Sequence, residues 1–186
     1  MSLITDEIRK SASELYHGHE ICSEKSKFLL KEVGLPNGLL PLDDMVECGY
    51  VKDTGFVWLI SKKKTEYKFK KINKLVQYAT EVTAYVEPNK IKKLTGVKAK
   101  ELLMWITLSD IYVDVPSTGN IHFKTPAGLS RTFPIDAFLV EEKPSTTAAA
   151  GGDDVPAAED ETVVAKKAPE EINVVKEATS VEVKEV

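Results

Sequence analysis

Cysteine is almost absent from this chain: Cys22 and Cys48 are the only two in 186 residues. That is too few for a disulfide framework, and with no secretory signal the default is a pair of reduced thiols in the cytoplasm. The first seven residues, Met1 to Glu7, lack a basic segment followed by an apolar one, and Ser2 in place of glycine excludes myristoylation. No run approaches the roughly 18 apolar residues of a membrane span. Histidine is equally scarce, with only His17, His19 and His122. His17, His19 and Cys22 form one irregular cluster that Cys48 or Asp43 would have to complete, whereas a structural zinc site shows paired ligands in two clusters. No metal and no other cofactor is expected.

Motifs for covalent catalysis are missing as well. Gly128-Leu129-Ser130-Arg131-Thr132 lacks the second glycine of a nucleophile elbow and does not look like a strand-to-helix turn. His122 could act as a base for a neighbouring serine, but it reads as an ordinary strand histidine. No catalytic residue is assigned, and the reading leans away from an enzyme.

Aromatic residues disappear after Glu142, where Ala, Pro, Thr, Gly and Glu dominate. Such a segment cannot bury enough apolar surface to offset its ordering entropy, so 143–186 is expected to be a disordered acidic tail. It holds five lysines against ten acids, and with −4 on the whole chain its −5 leaves +1 for the rest. Val174, Val175, Val181 and Val183 give the tail something a protein partner could order.

What remains, 1–142, is expected to be a single domain, able to bury about two-thirds of its unfolded surface. Residues 1–34 read as helical: Thr5 is placed to cap a turn containing Asp6 and Glu7, Ile8, Ala12 and Leu15 follow at helical spacing, and Gly18 breaks the pattern before it resumes to Gly34. The Gly34 to Pro41 run, with two prolines, suits an apolar loop with inward leucines. From 45 to 140 the signal is β. Val76, Tyr78, Thr80, Val82, Ala84 and Val86 alternate onto one face of a long strand. Lys98 to Trp105 has good helix propensity, but its strongly β continuation favours strand, with a bulge near Ser109. The fold class is therefore mainly β (α+β): a short N-terminal helical segment, an antiparallel β barrel or sandwich, and the tail.

Three segments carry a family likeness: Gly34-Leu35-Pro36-Asn37-Gly38-Leu39-Leu40-Pro41, Leu94 to Lys100 leading to Met104-Trp105, and Thr125 to Ser130 leading to Phe133-Pro134. In this order and spacing they resemble the plant family catalogued as domain of unknown function 538, over roughly residues 14 to 140. The resemblance implies a mostly β domain behind an N-terminal helical segment, a plant source, and association with stress and development. The family has been likened to bactericidal permeability-increasing lipid-binding proteins, and an esterase activity on chlorophyll has been suggested for it. Many members resemble secreted proteins with a signal peptide; this chain shows none and adds the acidic tail.

Two groups of residues are candidates for binding. Lys62, Lys63, Lys64, Lys68, Lys70 and Lys71, followed by Lys74, Lys90, Lys92, Lys93, Lys98 and Lys100, are dense enough to hold an anionic lipid surface, although edge-strand lysines that block aggregation account for part of the density. Nucleic acid ranks below lipid, because base-reading and stacking motifs are missing. Trp58, Tyr67, Phe69 and Trp105 would line an apolar ligand cavity if the sheet curls, the alternative being plain core packing. The expectation is a non-enzymatic binding module for an apolar or anionic-lipid ligand, cytoplasmic and peripheral at membranes. An esterase-like hydrolase or a protein-interaction scaffold is the alternative.

Overall fold

Thr5 starts the first element as its sequence predicts: its Oγ1 accepts the Ile8 amide at 3.2 Å, and Asp6 and Glu7 occupy the first turn of helix α1 (Asp6–Ser11). The computed structural model describes residues 2–142; the acidic tail, and the expectation that it is disordered, lie outside them. Helix α2 (His19–Glu32) ends where Leu35 N donates to Leu30 O, a six-to-one bond that closes the last turn. The helical reading of 1–34 fails between the two helices. Glu14–His17 is strand β1, paired with residues 50 to 47 of strand β2 (Met45–Val51). The ladder is extended by Ser13 N to Tyr50 O and Gly18 N to Val46 O. So short a segment could not repay helix nucleation, whereas a sheet edge satisfies its backbone at once.

The β region supplies β3 (Phe56–Ser61), β4 (Thr65–Phe69), β5 (Lys74–Glu87), β6 (Lys90–Glu101), β7 (Met104–Thr107), β8 (Asp110–Val113), β9 (Asn120–Lys124) and β10 (Ser130–Pro134). All pair antiparallel in one sheet of order β1-β2-β3-β5-β6-β8-β9-β10, with β4 added to β5 and β7 to β6. Among the described residues the sheet is open, since β1 and β10 end it with one neighbour each, yet it curls enough that its inner face encloses a core.

The long strands β5 and β6 form the spine. Val76, Tyr78, Val82, Ala84 and Val86 are buried as expected, but Thr80 is exposed, because the β5–β6 register slips between Tyr78 and Thr83. Gly96, at φ +79°, sits against this slip; a Cβ there would run into the Glu81 carbonyl. Lys98 to Trp105 is strand, turn and strand, with Leu102 and Leu103 as the turn between β6 and β7. Near Ser109 the chain makes a break rather than a bulge: Ser109 accepts from Leu94 N and donates to Lys124 O, both at 2.8 Å.

The Gly34–Pro41 loop turns Leu35 and Leu39 inward, and the Tyr78 hydroxyl donates to Leu39 O at 2.9 Å across the core. Asn37 clamps Val140 through two hydrogen bonds of 2.9 Å, bringing the end of the domain back onto this loop. On the opposite face of β2 and β3, α1 covers a second cluster of Ile4, Val51, Phe56 and Trp58. The indole of Trp58 fits only because residue 49 is glycine, since a Cβ would lie inside the ring.

Candidate functional site

The inner face of the curl holds a cavity of about 120 Å³. Its wall includes one cross-strand row, Val76 on β5, Ala99 on β6 and Ile106 on β7, which are successive register partners. Alanine is the small member of that row, and the space stands beside it. An aromatic cluster contributes further wall: Phe138 lies 4.8 Å from Phe69 and 5.1 Å from Phe123, centroid to centroid. Most of the remaining wall is Leu, Ile, Val and Phe, with hydroxyls from Tyr78, Thr125 and Ser130. Its charged part is a rim of three side chains. Lys74 Nζ is 2.8 Å from Glu101 Oε1, and Arg131 Nε approaches the same oxygen at 3.9 Å. Arg131 comes from β10 and Glu101 from the far end of β6, so this contact spans the curl. Two cations on one acid leave the rim net positive.

The four aromatic residues expected to line one cavity are dispersed. Phe69 is buried in the cavity wall, and Tyr67, two residues back on the same face of β4, packs edge-on against Phe69 at 4.9 Å and is exposed. Trp58 is fully buried and borders a smaller space of about 70 Å³ beneath α2. Trp105, half-buried on β7, lies under the Lys100 ammonium at 5.8 Å. The six lysines also divide. Lys68, Lys70 and Lys71 stand at the end of β4 that meets Lys74 and the rim, while Lys62, Lys63 and Lys64 form the β3–β4 turn at its other end. All six are exposed; Lys63 pairs with Asp44 at 3.1 Å and Lys71 with Asp136 at 3.4 Å.

Sequence reasoning missed Ala99, Glu101 and Arg131 as site residues. Alternation could have found the first two, since Val97, Ala99 and Glu101 share one face of β6 while Lys98 and Lys100 take the other. Nothing local could have brought Arg131 to Glu101.

His122 is not isolated. On the outer face, Lys90, Tyr112, His122 and Thr132 are register partners across β6, β8, β9 and β10. Tyr112 and His122 stack at 4.8 Å, His122 Nδ1 meets Thr132 Oγ1 at 2.9 Å, and Nε2 meets Asp114 Oδ1 at 3.0 Å. Hydrogen bonds from Thr118 and His122 hold the Asp114 carboxyl below its ordinary range. Acid, imidazole and hydroxyl are thus in line, but Thr132 lies outside the walls of both cavities. The row reads as cross-strand pairing of a sheet surface.

Both cysteines are buried, Cys22 Sγ donating to Tyr16 O at 3.5 Å, and burial pushes both thiols up, away from the reactive thiolate. His17 turns instead to Glu47, at 3.4 Å. Among the described residues no helix is long and apolar enough to cross a membrane.

Residues 26–139, more than half of the chain, match the family model described as protein of unknown function, DUF538. No curated protein and no solved structure matches.

Proposed function

Because this chain belongs to the family described as protein of unknown function, DUF538, and that description names no activity, we propose a function from the site itself: a non-enzymatic binding module that takes a small apolar group into the cavity. The observation that carries this reading is an apolar space of about 120 Å³ whose charged rim, among the described residues, is net positive. An apolar engineered cavity of about 150 Å³ holds benzene. The matching occupant is therefore a ring or short alkyl chain rather than a full lipid tail. Its best partner is an amphiphile with an anionic end, which would compete with Glu101 for Arg131. The reading includes a plant stress or developmental setting, supported by the resemblance alone, and a cytoplasmic place at membrane surfaces.

Thermal shift with short-chain carboxylates and the matching alcohols tests it. A ligand at about 100 times its Kd stabilises the folded state by about 2.7 kcal/mol. A saturable rise in Tm that is larger for octanoate than for octanol is expected, and no rise with any member sinks the proposal. The alternative is a hydrolase using the Asp114, His122 and Thr132 row. Turnover of chromogenic esters that survives repurification and disappears in His122→Ala would replace the binding reading.

A further inference from the structure

The turn between β6 and β7 has an unusual composition for its geometry. Glu101 and Met104 are register partners, so Leu102 and Leu103 form a two-residue hairpin loop. Such loops favour Asn, Asp or Gly, because central residues take positive φ. Leu102 does take it, at φ +53°, where a side chain with a Cβ is disfavoured. Both leucines are 93% exposed, and Met104 beside them is 67% exposed. An apolar pair is thus held in solvent at a position whose backbone calls for a polar or absent side chain. Strain and exposure both stay uncompensated within the described residues.

The surroundings indicate what would compensate. Leu129, 65% exposed, lies at the β9–β10 turn and borders the same cavity as Glu101 and Arg131. Trp105 follows the tip with Lys100 over its ring, and Lys98 is exposed on the same hairpin. Lys74 and Arg131 share Glu101 on the inner face, while Lys98 and Lys100 stand on the outer face of β6, the latter over Trp105. An apolar tip, an aromatic residue just behind it and a surplus of cations around it match the depth profile of an anionic bilayer interface: acyl boundary, aromatic zone, charged headgroups.

We propose that the Leu102-Leu103-Met104 tip inserts into the interface of an anionic membrane and sets the mouth of the cavity against the lipid. The inference rests on the ligand-binding reading for the role of the cavity, but the membrane contact stands on the hairpin alone. It relocates the contact from the Lys62-Lys63-Lys64 turn, which lies at the other end of β4, about 13 Å of extended strand away from the rim.

The test uses the full chain and vesicles of phosphatidylcholine with about one-fifth phosphatidylserine at low salt. Two readouts are taken, co-sedimentation and tryptophan emission. Trp58 is fully buried, so a blue shift on vesicle addition reports Trp105. The decisive variant is Leu102→Gly with Leu103→Asn, which puts glycine at the positive-φ position of the two-residue hairpin and so holds or raises Tm. Its partition onto vesicles is expected to fall at least about tenfold, equivalent to about 1.4 kcal/mol, with loss of the blue shift. Charge reversal of Lys62, Lys63 and Lys64 is expected to change partition by less than about threefold, or about 0.65 kcal/mol. Unchanged binding by the hairpin variant overturns the proposal, as does a full chain that never pellets, or a loss confined to the lysine variant. Carboxylate-induced thermal shift without vesicles reports the cavity separately. A chain that binds vesicles through the tip but shows no such shift fails only the ligand-binding reading.

Discussion

Ala99→Leu tests whether the cavity is real space and whether that space is where a ligand goes. The cavity of about 120 Å³ beside Ala99 gives a larger side chain room to grow into. Leucine at 99 adds three carbons between Val76 and Ile106, with a ceiling of about 2.4 kcal/mol at about 0.8 per carbon. Loss of rotamer freedom takes back about 0.5–1 kcal/mol, and imperfect fit takes more. A net gain of about 1 kcal/mol is expected, seen as a Tm higher by about 3 °C. The octanoate shift should disappear in the same variant. A loss of more than about 2 kcal/mol would show that residue 99 has no room around it, contradicting the void. A stabilised variant that keeps its full octanoate response would refute the assignment of the ligand to this cavity.

Glu47 offers a pH-dependent prediction. It accepts from Trp58 Nε1 at 2.8 Å and Arg9 Nε at 2.9 Å; burial works to raise its carboxyl, but these hydrogen bonds outweigh it and hold the carboxyl below its ordinary range. A carboxyl depressed on folding contributes stability above its unfolded value, near 4.3, and loses it as pH falls through the folded value. Glu47→Gln should therefore cost about 1.5–3 kcal/mol at neutral pH, and the difference should shrink below about pH 4 in acid-dependent melts; a constant difference would rule this out. Tyr78→Phe should cost about 1–2 kcal/mol of stability, seen as a lower urea midpoint with the m-value unchanged, because Leu39 O loses its donor. An unchanged midpoint would mean that the bond does not hold the Gly34–Pro41 loop.

The β class, the inward leucines of the loop and the Thr5 cap were legible because each rests on local chemistry: period-two alternation, missing proline donors, an acceptor before a first turn. The errors share a different cause. Glu14–His17 carries no decisive period of its own and becomes strand only because β2 offers it an edge. Alternation puts Thr80 inward because it cannot register a slip in pairing. Trp58 and Phe69 were assigned to one cavity because aromatic content does not say which face of a curled sheet a residue takes. Arg131 reaches Glu101 only through that curl, a property of the whole sheet.

The two strands outside the main sheet path have a kinetic consequence. β4 and β7 hang on the spine by five and four register pairs, and through Phe69 and Ile106 they also wall the cavity. Peeling either one away leaves the β5–β6 ladder intact. Exchange between the cavity and its surroundings can therefore follow local opening at the low end of the free-energy scale, with no need for global unfolding. Slow-exchanging amides would then be confined to the spine, and the lifetime of a bound guest would be set by the fraying of its shortest wall.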